Sequence, residues 1–176
     1  MSTEPIRITV RGLPAPQGSK VAFKAPRTGR IVVKESSDAK VKAWRQGVAG
    51  AALAAIAGRG LVLPLRCPVH LGIVFLLPRP KDHYGTGRNA GQVKASAPAW
   101  PTTYPDLSKL VRSTEDALTT AGIWADDAQV VICQASKEYA GQPLGLDQPG
   151  ALIMITPIVR PVQVIEEVKE CLPTPF

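Results

Sequence analysis

The segment Tyr104–Lys137, YPDLSKLVRSTEDALTTAGIWADDAQVVICQASK, carries the most informative pattern of the chain. Between Leu107 and Ala121, leucine, valine, threonine and alanine recur every three or four residues, which is typical of one buried helix face. Gly122 then predicts the helix end, because glycine readily adopts the left-handed conformation found there. A turn at Ala125–Asp127 and a β-rich run at Gln129–Lys137 follow. The segment therefore predicts a helix, a turn and a strand.

The N-terminal part of the chain predicts two strands and a second helix. Ile6–Arg11 alternates apolar and polar residues, as a half-buried strand does, and a Pro/Gly loop follows it. Lys20–Arg30 is basic and leads into a short strand at Arg30–Lys34. A helix then begins at a cap within Ser36–Asp38. Its amphipathic pattern places on one face Val41, Trp44, Val48, Ala52 and Ala55.

The rest of the chain predicts two strands separated by a loop and the helix already described. Pro68–Leu77 is apolar on both faces, which indicates a strand inside a sheet. Pro78–Pro105 is a long loop rich in proline, glycine and cations, and Ala151–Val159 is the last strand. The order β-β-α-β-α-β-β predicts an α+β fold, with a mixed sheet whose one face is covered by two main helices. We expect residues 1–160 to form a single domain and residues 161–176 to form a proline-containing C-terminal tail.

Composition limits the classes of function. Lysine and arginine outnumber aspartate and glutamate by 21 to 14, which favours a polyanionic partner such as nucleic acid, or an anionic membrane surface. No apolar run reaches the ~18 residues that a membrane span needs, and the N-terminus lacks a signal-peptide pattern. We therefore predict a cytoplasmic protein with no membrane segment. The 3 cysteines and 2 histidines are too few and too scattered for a disulfide framework, a zinc site or a His-rich metal site.

Three aspartates are the candidate metal ligands. Asp106 stands at the start of the predicted helix, and Asp126 and Asp127 follow its end. The ends of a ~15-residue helix lie ~22 Å apart, so these carboxylates share a metal only if the turn folds back beside the preceding loop. If they converge, they offer the hard oxygen ligands that Mg²⁺ prefers, and Mg²⁺ can activate water for phosphodiester hydrolysis.

Each candidate also has an ordinary structural interpretation. Asp106 follows a proline and suits a helix N-cap, and Asp126–Asp127 is common turn chemistry. Arg112 and Asp116 suit an ion pair between residues four apart. On the catalytic interpretation, Arg112 or Lys109 offsets charge on the phosphate in the transition state. The pattern alone leaves both interpretations open.

The motifs of this segment occur in an order that matches a known signature. From Asp106 through D-A-L at Asp116–Leu118 and A-G-x-W to D-D-A-Q-V at Asp126–Val130, the spacing is free of gaps, and the match reaches Lys137. The loop Gly12–Lys20, GLPAPQGSK, resembles a G-x-P-x-P-K-G pattern, with Gln17 in place of the lysine. Together these motifs resemble the RusA family of Holliday junction resolvases. The resemblance implies a homodimer that uses Mg²⁺, or Mn²⁺ in its place, to make paired nicks in four-way (branched) DNA junctions.

The resemblance also implies roles for individual residues. The family's metal-binding aspartates fall on Asp106, Asp126 and Asp127. A catalytic lysine of the family falls on Arg112, so the catalytic set becomes Asp106, Asp127 and Arg112. The family's second aspartate falls on Ser108 and its asparagine on Lys109, and a hydroxyl is a poorer Mg²⁺ ligand than a carboxylate. Ser108, Lys109 and Asp116 are therefore auxiliary candidates, and Glu115 is a second acidic residue able to assist.

Basic residues and the altered motif define the remaining expectations. Because Ser108 replaces the family's aspartate, a second function stays possible, that of a non-catalytic, structure-selective DNA-binding protein with a decayed site. A less selective nuclease of branched DNA or DNA packaging is a third possibility. Cations that neutralise phosphates make DNA affinity salt-dependent, and the predicted DNA contacts are Lys20, Lys24, Arg27, Arg79, Lys81, Arg88 and Lys137.

Overall fold

The computed structural model describes residues 4–18, 20–24, 26, 28–35, 38–141 and 146–158. Within these ranges the fold is α+β, as predicted. The strands and main helices are β1 (Ile6–Arg11), β2 (Lys20–Lys24), β3 (Ile31–Glu35), α1 (Asp38–Ile56), β4 (Val69–Leu77), α2 (Leu107–Thr120), β5 (Val130–Tyr139) and β6 (Gly150–Pro157). Residues 159–160 and the predicted tail, 161–176, lie outside the described residues.

Four strands form a mixed sheet in the order β1-β6-β4-β5. β6 is antiparallel to both of its neighbours, whereas β4 and β5 are parallel. The interior position of β4 confirms the prediction drawn from its apolar residues on both faces. Parallel neighbours cannot be joined by a tight turn, so the chain between β4 and β5 makes a long crossover that includes α2.

Both helices pack on one face of this sheet, which confirms the predicted arrangement. The sheet contributes alternate residues to the core, among them Ile8, Leu71, Phe75, Ile153 and Ile155. The first helix buries the predicted positions Val41, Trp44, Val48 and Ala52, and the second buries Leu110, Ala117 and Leu118. Each large apolar side chain buried in this way contributes roughly 1.5–3 kcal/mol of transfer free energy. Neither helix has the length and apolar content required to cross a membrane.

The strand β2 was not predicted. It pairs with β3 in a separate two-stranded antiparallel sheet, with Lys20 opposite Glu35 and Lys24 opposite Ile31. The basic stretch has the pattern of a connection, because its strand is only five residues long and has lysine at both ends. Pairing between backbones does not depend on apolar ends, so a short strand of this kind is easily missed.

Polar contacts join the two helices. Arg45 on α1 forms an ion pair with Asp116 on α2, and the Trp44 indole nitrogen donates to the Thr114 hydroxyl at 3.2 Å. The partner of Asp116 is therefore on the other helix, not Arg112 four residues earlier. Asp116, an auxiliary candidate for metal binding, ties α2 to α1.

The long loop between β4 and α2 is folded on itself. Two isolated β-bridges and two short 3₁₀ turns organise residues 79–98, which we call the lobe. The Arg79 guanidinium lies 4.0 Å above the ring of Tyr139 and donates to the carbonyl of Pro98 at 3.0 Å. The ring of His83 meets the same tyrosine edge to face. The lobe is thereby attached to the end of β5.

Candidate active site along the second helix

The turn that precedes β5 is built around Asp126 and Gln129. The Asp126 carboxylate accepts a hydrogen bond from the backbone of Ala128 at 2.8 Å. The Gln129 side-chain oxygen accepts from the backbone nitrogens of Ala125 and Asp126, at 2.9 and 3.1 Å. These reciprocal contacts are a capping box, in which each side chain satisfies a backbone donor of the turn. Asp126 therefore has a structural function, and its neighbour Asp127 is exposed.

Gln129 also fixes this turn to the segment before β4. Its amide nitrogen donates to the carbonyls of Leu65 and Cys67, each at 3.0 Å. One side chain thus satisfies backbone groups on two segments that are more than sixty residues apart in sequence. The position of Asp127, two residues earlier, is set by this clamp.

Replacing Gln129 with alanine is expected to lower the free energy of unfolding by about 2–6 kcal/mol, because four hydrogen bonds of about 0.5–1.5 kcal/mol each are lost. Urea denaturation measures the change. Val131→Ala is the control, since Val131 is 58 % exposed and such surface changes stay within about 0.5 kcal/mol. Equal stability of the two variants would show that the clamp contributes nothing.

Glu115 on α2 lies close enough to this turn for the charge of Asp127 to act on its carboxyl, and we call these two residues the acidic pair. Burial raises the pKa of the Glu115 carboxyl above its ordinary value, the negative charges of Asp127 and Asp116 raise it further, and Arg112 opposes them. The pKa of the Cys133 thiol on β5 is also raised, by burial and then by the charge of Glu115. The half-buried Glu115 carboxylate and the exposed Asp127 carboxylate repel each other, and a bound cation relieves such repulsion.

The raised pKa of Glu115 predicts a pH-dependent stability of the metal-free protein. The folded state binds the Glu115 proton more tightly than the unfolded state does. Protonated Glu115 therefore makes its full contribution to stability below pH 4.5, and this contribution is lost as pH rises through the folded-state pKa. Glu115→Gln removes the loss. In urea denaturation with EDTA, the variant is expected to gain stability relative to the wild type as pH rises above 4.5. Parallel pH profiles for the two proteins would contradict this.

Asp106 occupies the N-cap position of α2, but its side chain makes no capping hydrogen bond. The carboxylate instead contacts the Lys109 ammonium at 2.9 Å, and both side chains are about half exposed. The hydrogen bond that the Lys109 ammonium donates to the Asp106 carboxylate, together with the charge of that carboxylate, raises the pKa of Lys109. Lys109 therefore stays protonated, which suits it to bind a phosphate and not to accept a proton.

The segment before Asp106 is held by Lys137, at the far end of β5. Its ammonium donates to the carbonyls of Thr103 and Pro105, each at 2.9 Å. From the other side, the backbone nitrogen of Gln17 in the Pro/Gly loop donates to the carbonyl of Lys109 at 3.0 Å. The start of α2 is thus fixed by β5 and by the loop after β1.

The predicted DNA-contacting cations fall into three groups. Lys137 and Arg79 make the internal contacts described above, whereas Lys24, Lys81 and Arg88 are exposed. Lys20 lies in β2, but its side chain is outside the described part of the chain, as is all of Arg27. DNA contact by these residues stays a prediction.

The structure does not bring the three predicted aspartates together. Among the described residues, no group of three or more His, Cys, Asp or Glu side chains is arranged to hold a metal ion. Asp106 and Glu115 stand nine residues apart on α2, which is about 13 Å along a helix. Between them the charges follow at steps of three, and we call this set the charged row: Asp106, Lys109, Arg112 and Glu115. Asp127 extends the row at its Glu115 end.

Comparison with known proteins assigns the family. Residues 15–147 match the family model described as endodeoxyribonuclease RusA. The chain belongs to the RusA family. The matched range contains the whole charged row, the Asp126–Gln129 turn and Lys137. The RusA family consists of endodeoxyribonucleases that act on branched DNA and are generally dependent on a divalent metal. The uncharacterized protein YqaN of Bacillus subtilis (strain 168) is 30% identical over 138 residues, covering 78% of this chain and 90% of that protein.

The RusA family pattern directs attention to Ser108. The structure places this residue exposed in the first turn of α2, beside the pair of Asp106 and Lys109. At the position where the family pattern has an aspartate, this chain therefore has a neutral hydroxyl next to a protonated amine. Glu115, two turns further along α2, is the acidic residue whose pKa the charge of Asp127 raises.

Two residues of the candidate site have larger parts than their sequence patterns predict. Nothing in the sequence shows that Glu115 lies near the turn, so the sequence predicts for it only an assisting role. Gln129 belongs to the D-D-A-Q-V motif, which by itself predicts no function for it. Its signal was present, because an aspartate followed three residues later by glutamine is the sequence pattern of a capping box.

Proposed function

We propose that this protein is a Mg²⁺-dependent endonuclease that makes paired nicks in four-way DNA junctions or related branched DNA, and that it works as a homodimer. The observation that supports this most strongly is the acidic pair of Asp127 and Glu115, with Arg112 beside it, in a chain of an endodeoxyribonuclease family. Carboxylates beside a cation are the groups that metal-assisted phosphodiester hydrolysis uses.

Asp127 and Glu115 are the residues that would hold Mg²⁺, or Mn²⁺ in its place. Their oxygens are the hard donors that these ions prefer, and their mutual repulsion supports a site for a cation between them. When bound, such an ion activates a water molecule and stabilises charge on the leaving oxygen. Asp126, also predicted as a ligand, uses one carboxylate oxygen for the turn, so we assign it a positioning function.

The cations of the charged row would bind the scissile strand. Arg112 is exposed next to Glu115, where its guanidinium can offset charge that develops on the phosphate. Lys109 is held by Asp106 at the start of the row. A DNA phosphate that replaces Asp106 as the partner of Lys109 would release the Asp106 carboxylate. Asp106 could then act in the site as a free carboxylate. Lys81 and Arg88 on the lobe would bind neighbouring phosphates.

Paired nicks require two sites, so we propose that two copies of the chain act together. The face of the sheet opposite the helices exposes Met154 and Ile132, each 40% exposed, and offers apolar surface for a second copy. Light scattering with and without a four-way junction measures the oligomeric state. A monomer under both conditions would contradict the paired-nick mechanism.

One observation favours a second candidate, a structure-selective DNA-binding protein without cleavage activity. Ser108 stands where the family pattern has a carboxylate, and the Asp106 carboxylate is already paired with the ammonium of Lys109. On this alternative the protein binds junctions through its cations but binds Mg²⁺ too weakly to cut.

A cleavage assay separates these functions. A labelled four-way junction and a linear duplex of the same sequence are incubated with the protein in Mg²⁺ and in EDTA. Symmetric nicks in the junction alone, only in Mg²⁺, are the expected result. Tight junction binding without cleavage would support the DNA-binding alternative, and equal cutting of both substrates would support a less selective nuclease.

A further inference from the structure

A cavity of about 260 Å³ opens beside Asp106. Thr103, Tyr104 and Pro105 form one of its walls, and Asp106 follows them directly in the chain. The opposite walls come from the Pro/Gly loop after β1, the end of β4 and the end of β5. We call this cavity the proline pocket, because six of its lining residues are Pro14, Pro16, Pro78, Pro80, Pro101 and Pro105.

The lining of the proline pocket suits a flat apolar ligand. Proline rings are rigid and present apolar faces, and Tyr104 adds an exposed aromatic ring, whereas the ring of Tyr139 is buried beneath Arg79 and only closes the wall behind. At the mouth, Tyr104 is 71 % exposed and Leu13 is 55 % exposed, which leaves large apolar groups in water. Pockets that combine apolar walls with a few polar groups are typical of small-ligand sites.

The charge around the proline pocket favours a ligand attached to an anionic strand. Lys40 is an exposed member of the lining, and none of the residues that form the walls is acidic. Arg79 stacks on the Tyr139 ring, and Lys137 holds the carbonyls of Thr103 and Pro105. An apolar ring with a phosphate nearby therefore complements this place better than a basic or neutral peptide does.

We propose that the proline pocket receives one unstacked nucleobase of the DNA bound at the charged row. The inference rests on the proposed function, since it requires a DNA strand at the start of α2. Aromatic and apolar side chains stack on bases without regard to sequence, and a base leaves its stack most cheaply where it is already unpaired. A pocket of this kind would make binding depend on a branch point, which linear duplex lacks.

Binding to abasic junctions tests the proposal. In an Asp127→Asn background, which is expected to bind without cutting, each nucleotide next to the branch is replaced in turn by an abasic analogue. Loss of one stacked base is expected to weaken binding about tenfold at one nucleotide and little elsewhere. Leu13→Trp, which fills the mouth, and Tyr104→Ala, which removes a wall, are expected to weaken binding of the intact junction and to abolish the difference between abasic positions. Trp100→Ala is the matched control, because Trp100 is an exposed aromatic residue outside the lining.

Failure of the inference can be told from failure of the proposed function. Suppose that the wild type cuts branched DNA but binding does not depend on the abasic position, or that both pocket variants show the same dependence on that position as the Asp127→Asn parent. The proposed base-binding pocket is then wrong, and the proposed nuclease function is unaffected. If the wild type neither cuts nor binds any branched DNA, the proposed function itself is wrong. If Trp100→Ala also abolishes the difference in binding between abasic positions, as the pocket variants are expected to do, the assignment to this pocket is wrong.

Discussion

Replacing Asp127 with asparagine is expected to lower the rate of junction cleavage by about a hundredfold or more while junction binding is kept. Asparagine keeps the size of the side chain and removes the charge that, paired with Glu115, would hold the metal. Binding is retained because the cations that contact phosphates are unchanged, and loss of a negative charge reduces repulsion of DNA. Single-turnover cleavage of a labelled junction, with binding measured by anisotropy, gives both quantities.

The adjacent aspartate supplies a matched control. Asn and Asp are equally good caps, so Asp126→Asn keeps the hydrogen bond to Ala128 while it removes the same charge one residue earlier. We expect this variant to keep most of its activity. If Asp126→Asn is as inactive as Asp127→Asn, then Asp126 is a metal ligand, as the sequence analysis predicted. If both variants cut normally, the acidic pair is not the catalytic site.

Replacing Arg112 with alanine is expected to lower the cleavage rate by about 10²–10³-fold, the usual effect of removing one group that stabilises transition-state charge. Arg112→Lys is expected to restore part of this loss. Lysine keeps the positive charge but lacks the planar pair of donors that binds a phosphate at two points. The measurement is the single-turnover rate at saturating enzyme, so that a change in affinity does not enter.

The dependence on Mg²⁺ distinguishes this function of Arg112 from an effect on the metal. Arg112 opposes the raised pKa of Glu115, so its removal leaves the acidic pair more strongly repelling and more attractive to a cation. The half-saturating Mg²⁺ concentration of Arg112→Ala should therefore be equal to or lower than that of the wild type. A higher Mg²⁺ requirement, or an unchanged rate, would contradict the assignment of Arg112 to the phosphate.

Local patterns in the sequence predicted most of the regular structure. The period of α2 and its end at Gly122, where φ is 70°, follow from side-chain spacing and from the freedom of glycine. The central position of β4 follows from its apolar residues on both faces. These predictions were confirmed because the side-chain spacing and the glycine on which they depend lie within a single short segment of the chain.

Other features depend on residues that are distant in the sequence. Asp116 pairs with Arg45, 71 residues earlier, and Gln129 reaches the carbonyl of Leu65, 64 residues earlier. The approach of Glu115 to Asp127 depends on how the turn after α2 folds back. No spacing rule connects such residues, so the sequence indicated acidic chemistry in this segment but not which carboxylates are neighbours.

The parallel pairing of β4 and β5 has a consequence for the independence of the site. Because the two strands run side by side, the single crossover between them contains the lobe, the charged row and the Asp126–Gln129 turn. Chain connectivity elsewhere is then of little importance to the chemistry. A circular permutant with new termini at Gly58–Gly60, before the Leu65 and Cys67 carbonyls that Gln129 holds, would break the backbone only outside this crossover, and the catalytic parts would remain on one uninterrupted stretch of polypeptide.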